Sequence, residues 1–173
     1  MDDDDAGRDH ARQHAAPQQS AFLALRRAHD AVMGPVGALL REHGISEPQY
    51  NVLRILRGAG GAGLPCHAIA ERMITRLPDI TRLLDRLETA GHVRRTRSER
   101  DRRIIQITLE PCGRELLEQL DGPVAALHTA QFRGLTREEQ RVLAELLERL
   151  RTTCPPAPTT GGGERSTATR RSR

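Results

Sequence analysis

Four apolar residues, Ile80, Leu83, Leu84 and Leu87, fall at positions i, i+3, i+4 and i+7. That spacing predicts a helix over about Arg76 to Ala90 with one apolar face packed inward. Gly91 then stands where a helix ends in a left-handed residue. The opposite face carries Pro78, Thr81, Arg82, Asp85 and Thr89, with Arg76 and Arg86 on its flank. Pro78 falls in the first turn, where a missing N–H leaves no hydrogen bond unmade. A row of short hydrogen-bonding side chains and forked guanidiniums fits a DNA major groove, where arginine donates paired bonds to guanine O6 and N7. A surface helix that carries charge only for solubility has the same pattern, so the neighbouring segments must decide between the two.

They favour the groove. Val93 to Arg97 and Arg103 to Leu109 are predicted strands, with Ile105, Ile107 and Leu109 alternating in the second. The stretch from Arg94 to Arg103 holds six arginines against Glu99 and Asp101, the densest positive patch in the chain. Its tip, Ser98 to Arg103, puts guanidiniums on a short protruding turn that can reach phosphates or a narrow minor groove. A carboxylate at Asp101, two residues from Arg103, can hold that guanidinium in one orientation and lower the entropy lost on docking. A solvated charged turn is the plainer alternative.

Upstream, Phe22, Leu25, Val32, Val36, Leu39 and Leu40 give helical spacing over Ser20 to His43, with Pro35 expected to kink or split the helix. Ser46 and Gln49 form a capping box for a second helix through Val52, Leu53, Ile55 and Leu56, which stops at the glycine-rich stretch 58–63. Pro65 opens a short third helix carrying Ile69 and Met73. Downstream, Pro111 starts a helix that Gly122–Pro123 should bend. Thr136 and Glu139 cap a last one ending near Arg151, with Val142, Leu143, Leu146, Leu147 and Leu150 as its stripe. The order helix, helix, turn, helix, hairpin is that of a winged helix-turn-helix. The fold expected is therefore mainly α with a small β-hairpin wing.

Composition sets the outer limits. At 173 residues the chain suits one domain. Residues 1–19, with five aspartates against Arg8 and Arg12, have the composition of a disordered acidic tail. Residues 153–173, rich in Pro, Thr, Gly and Ser and closing with Arg165, Arg170, Arg171 and Arg173, have that of a flexible basic one. The folded part spans 20–152, with a DNA-binding lobe at about 46–110 and dimerisation helices at about 20–43 and 111–151. No apolar run approaches the roughly 18 residues that span a bilayer, and no secretory signal opens the chain. The expected address is the cytoplasm, without a membrane partner. All 27 basic side chains are arginine, which lessens the weight of any one arginine as a nucleic-acid signal.

Between Gln49 and Leu117 the chain resembles the multiple-antibiotic-resistance regulator (MarR-type) family. The resemblance is carried by QYNVLRIL, LPCHAIAERM, DITRLLDRLETAGHVRR and DRRIIQITLEPCGRELL. It implies a triangular homodimer with its terminal helices interleaved, and two winged modules facing successive major grooves of double-stranded DNA. The operator is then a pseudo-palindrome with half-sites about one turn apart. By position, Arg76, Pro78, Thr81, Arg82 and Arg86 would face the groove. Asp101 and Arg103 would occupy the family's Asp-x-Arg wing motif, with Arg100 and Arg102 on the DNA backbone. Two residues depart from the pattern: Glu110, where a threonine usually begins the fifth helix, and Pro78 within the recognition helix.

The family also implies control by a small-molecule effector, commonly in a pocket between dimer helices and winged module, here lined by Val32, Leu40, Tyr50, Leu53 and Ile69. The same side chains would fill any core. A thiol switch is the alternative: Cys66, beside His67 at a helix N-terminus, sits where the helix dipole favours a thiolate. A packing role suits it as well. Cys112 and Cys154 complete an odd set that forms no disulfide framework. No metal-ligand spacing, phosphate loop or nucleophile–base grouping stands out, so neither a cofactor nor an enzyme is expected. The function expected is a repressor released by an effector, with a winged helix that binds protein partners as a further alternative.

Overall fold

The computed structural model describes residues 16–75, 79–97 and 104–154. In order these form α1 (Pro17–Glu42), α2 (Glu47–Ala59), a 3-10 turn (Gly60–Ala62), β1 (Leu64–Pro65), α3 (Cys66–Arg72), α4 (Ile80–Thr89), β2 (Val93–Arg97), β3 (Ile105–Leu109), α5 (Pro111–Phe132) and α6 (Arg137–Thr153). The chain divides into two compact units between Gln131 and Phe132.

In the first unit, α1 begins three residues before the expected Ser20. Pro17 occupies the first turn, where its missing N–H is not needed, so Pro17–Gln19 belong to the helix and not to the tail. Of the two expected effects of Pro35, a kink or a split, the split does not occur: α1 runs through it. Val36 and Leu40, just beyond it, are buried against Leu120 and Val124 of α5. That packing outweighs the roughly 3 kcal/mol cost of an interior proline. Gln131 also donates from Nε2 to the Val32 carbonyl at 2.8 Å, engaging the backbone one turn ahead of Pro35. Pro123 likewise stays inside α5.

The Ser46–Gln49 capping box is present, with Gln49 Oε1 accepting from the Ser46 N–H at 2.9 Å. It starts α2 so that Val52, Leu53 and Leu56 point into the main core. There they meet Ile69 and Met73, Leu83, Leu84 and Leu87 of α4, Val93 and Ile107 of the sheet, and Leu117 of α5. A second cluster of Val36, Leu40, Ile45, Leu120 and Val124 joins α1 to α5, and Tyr50 and Leu116 pack against both. An ion pair on two bonds, Arg57 to Asp121 at 2.7 and 2.8 Å, ties α2 to α5.

The wing is a three-stranded antiparallel sheet in the order β1-β3-β2, where the sequence predicts a two-stranded hairpin. Val93 pairs with Leu109 and Arg97 with Ile105, while Leu64 pairs with Ile107 and Pro65 with Gln106. Gly63 permits the third strand. Its φ is +67°, and a Cβ there would strike the Ile107 carbonyl oxygen and lie 2.7 Å from Thr108 Cγ2.

The second unit holds α6. Thr136 and Glu139 form its capping box, and Gln140 donates from Nε2 to the carbonyls of Phe132 and Leu135. Val142, Leu146, Leu147 and Leu150 make an exposed apolar row along it.

Candidate nucleic-acid interface

Helix α4 starts at Ile80, later than the predicted Arg76, because Asp79 caps it. Asp79 Oδ1 accepts the Arg82 N–H at 2.9 Å, which satisfies a donor that the first turn would otherwise leave open. Just past α3, the Ile74 N–H donates to Asn51 Oδ1 of α2 at 3.0 Å. Leu83, Leu84 and Leu87 are buried beneath α4, and Ile80 is half-buried against the same cluster. Thr81, Arg82 and Arg86 face solvent together. The Arg82 side chain is 78% exposed, with Nε 3.4 Å from Asp79 Oδ2. The helix thus presents two guanidiniums and a hydroxyl on a face whose backbone is fixed at its start and along its buried side.

Asp85, expected on that open face, is engaged. Its Oδ1 lies 2.7 Å from Arg95 Nη1 of β2, and Glu88 Oε2 lies 2.7 Å from the same nitrogen. The Arg95 backbone N–H donates to Glu88 Oε1 at 3.0 Å, and Nη2 reaches the Thr81 carbonyl at 3.5 Å. The neighbouring Arg94 bonds Glu110 at 2.8 Å. The Glu110 N–H donates to the His92 carbonyl at 3.0 Å, so the residue that departs from the family pattern secures the junction between β3 and α5. Sequence reasoning does not reach these pairs. Their signals are the i, i+3 spacing of two carboxylates on α4 and the parity of Arg95 with Val93 along the strand.

Arg76, Pro78, Arg100, Asp101, Arg102 and Arg103 lie outside the described residues. The five side chains expected to line an effector pocket are dispersed. Leu53 and Ile69 are fully buried in the main cluster and Leu40 in the second, Tyr50 lies between them, and Val32 is half-buried on α1. A small open concavity of about 170 Å³ is bounded instead by Glu47, Pro48, Asn51, Met73, Ile74 and Thr75. Cys66 opens α3 and packs half-buried against the main cluster. Cys112, exposed in the first turn of α5, has Sγ 3.5 Å from His92 Nδ1. Burial pushes the His92 imidazole below its ordinary pKa.

A capped helix with a basic outer face, packed on two others and followed by a small antiparallel sheet, defines a winged helix-turn-helix DNA-binding module. Residues 45–105 match the model of the MarR family. The chain is 36% identical to a crystallised MarR transcription factor from Planctomyces limnophilus, over 78% of this chain and 98% of that one, with a TM-score of 0.61. It is similar to the homoprotocatechuate degradative operon repressor of Escherichia coli, 28% identical over 75% of this chain and 86% of the relative. A MarR mutant from E. coli, crystallised with operator DNA, superposes with a TM-score of 0.67 at 25% identity, covering 75% of this chain and 91% of that one. The chain belongs to the MarR family of DNA-binding transcription regulators, and it is not an enzyme.

Proposed function

We propose that the protein is a repressor that binds a pseudo-palindromic operator as a homodimer and is released by a small-molecule effector. The observation that carries this is the outer face of α4. Thr81, Arg82 and Arg86 stand exposed on a helix whose start is capped by Asp79. Arg82 and Arg86 donate to base edges, and Thr81 adds a shorter hydrogen-bonding group. Arg76 and Pro78 precede them in the chain; of the wing residues, Arg100 and Arg102 supply contacts to the DNA backbone, and Asp101 orients Arg103 toward a phosphate or the minor groove. Repression is favoured by the similarity to an operon repressor. Dimerisation is favoured by the exposed apolar row of α6, and separately by Phe22, Leu23 and Leu25 exposed on α1. A lone chain keeps such rows in water only at a cost of about 25 cal/mol per Å². An effector site among Val32, Leu40, Tyr50, Leu53 and Ile69 would have to open where the two clusters meet at Tyr50, and Cys66 is the thiol to test for a redox response. No helix among the described residues is long and apolar enough to cross a membrane; action in the cytoplasm is part of the proposal.

The test is a gel-shift titration against the DNA upstream of the protein's own gene, with random competitor, over a salt series. A dimer touching about eight phosphates loses affinity with a log–log slope near −7. Tight, salt-sensitive binding to one inverted repeat is the expected result. Binding that ignores sequence and salt would refute the proposal and favour a winged helix that binds protein partners.

A further inference from the structure

We propose that Arg95 is a positioning residue that locks the wing to the recognition helix, and that its guanidinium makes no contact with DNA. Strand alternation puts Val93 and Arg95 on one face of the sheet. Val93 is core, and Arg95 is the register partner of the buried Ile107. A cation at an inward strand position needs compensation, and α4 supplies it. Asp85 and Glu88, three residues apart and therefore on one side of the helix, each come within 2.7 Å of Nη1. Glu88 also accepts the strand's own N–H, and the Thr81 carbonyl lies within reach of Nη2.

The charge balance separates this arginine from its neighbours. One guanidinium between two carboxylates leaves a net negative cluster, which repels a phosphate. The Arg95 side chain is 26% exposed, whereas that of Arg82 is 78% exposed. Asp85, Glu88 and Thr81 all belong to α4, so the tie fixes where strand β2 leaves the helix. A protein that reads bases with α4 and phosphates with its wing needs those two elements at a set spacing. Holding them before DNA arrives lowers the ordering cost of binding. The inference rests on the proposed role of α4 in the groove.

The experiment compares the full chain with Arg95→Met, Glu88→Met and the double variant. Operator affinity is measured over a salt series, and thermal unfolding at one protein concentration. Each single variant should weaken operator binding roughly tenfold, in line with the loss of a charge-assisted hydrogen bond, with the wild-type salt slope retained. The double variant should be no weaker than the worse single one, since the two residues act through one another. If Arg95 instead touched phosphate, Arg95→Met would flatten the slope by about 0.9 for each phosphate left without its cation. Glu88→Met, which removes a negative charge near DNA, would then leave binding unchanged or tighten it. Either result overturns the proposal. Should Arg95→Met unfold below the assay temperature, Arg95→Lys serves in its place. It keeps the charge but lacks the fork that reaches both carboxylates. It should lose affinity without a change of slope, and wild-type affinity would count against the tie.

Amide hydrogen exchange gives an answer independent of DNA. Arg95→Met should speed exchange along β2, and unaltered exchange would overturn the tie even if the operator data agreed. Wild-type protein that showed no sequence preference at all would remove the groove role of α4, and the exchange result would then judge the tie alone.

Discussion

Replacing Gly113 by alanine should destabilise the protein, although alanine is the better helix former. Gly113 lies in the first turn of α5, and its backbone passes directly over the end of the wing. A Cβ there would strike the His92 carbonyl oxygen and would lie 2.8 Å from Leu109 Cδ1 and 3.2 Å from the His92 carbonyl carbon. The leucine tip can turn aside, but the carbonyl is held because it accepts the Glu110 N–H at 3.0 Å. Relief therefore means moving α5 off the sheet or giving up that hydrogen bond. Overpacking costs about 1–3 kcal/mol and the bond about 1 kcal/mol. Against this, alanine gains up to about 1 kcal/mol of helix propensity. The net is a loss of roughly 1–3 kcal/mol, a drop in Tm of about 2–4 °C per kcal/mol for a chain of this size. Gly58→Ala is the control. Gly58 is also helical, and its Cβ would meet nothing within 4 Å, so the substitution should gain about 0.5–1 kcal/mol. Denaturant unfolding of both variants at one fixed protein concentration decides the matter. A Gly113→Ala protein as stable as wild type, or two shifts of the same sign, would refute the reasoning.

Arg82→Ala should cost roughly 1–3 kcal/mol on the cognate operator and relax specificity at one base pair; equal loss on random duplex would show a phosphate contact instead. Asp79→Ala removes the cap of α4 and should cost about 1 kcal/mol of stability, whereas Asp79→Ser keeps a capping oxygen and should cost far less; thermal unfolding of the two variants side by side checks this. The Arg57 guanidinium, bonded to Asp121, holds that carboxyl below its ordinary value of 3.8. A lowered folded pKa means that the stabilisation is complete above the unfolded value and is lost as pH falls through the folded one. Asp121→Asn should therefore blunt the fall in stability below about pH 4. The pair is partly exposed, so the loss at pH 7 should stay under about 1 kcal/mol; urea unfolding at both pH values measures it.

The parts of the molecule legible in the sequence are those set by near neighbours. Ser46 with Gln49, and Thr136 with Glu139, announce helix starts because a capping box closes within four residues. Leu83, Leu84 and Leu87 announce a buried face because helical spacing repeats locally. What stays hidden depends on distant partners. β1 is two residues long and includes a proline, so it has no alternation of its own. It exists because Gly63 lets the chain lie against Ile107. Pro35 gives a breaker signal that packing of Val36 and Leu40 on α5 overrides. Asp79 reads as a first-turn residue of a helix begun at Arg76 although it caps the helix, since a carboxylate near the N-terminus is favourable in either place. Of the candidate site, Thr81, Arg82 and Arg86 can be placed from the helical wheel alone. The engagement of Asp85 and Arg95 needs the strand beside the helix.

The order of strands in the sheet has a consequence for how the lobe assembles. β2 and β3 can zip together as a local hairpin, but β1 joins β3 only after α3 and α4 have brought the chain back, since Leu64 must find Ile107. Loop-closure entropy is lost before that pairing returns anything. Sheet completion is therefore a late event that couples the whole stretch from α2 to β3 into one cooperative transition. A fragment ending before Ile105 would lack both the strand that closes the sheet and the isoleucine at 107 that the core closes on. Extra residues inserted between β2 and β3 lengthen a hairpin connection and leave that closure intact. Length variation in relatives should accordingly gather at the wing tip and be scarce between Gly63 and Thr89.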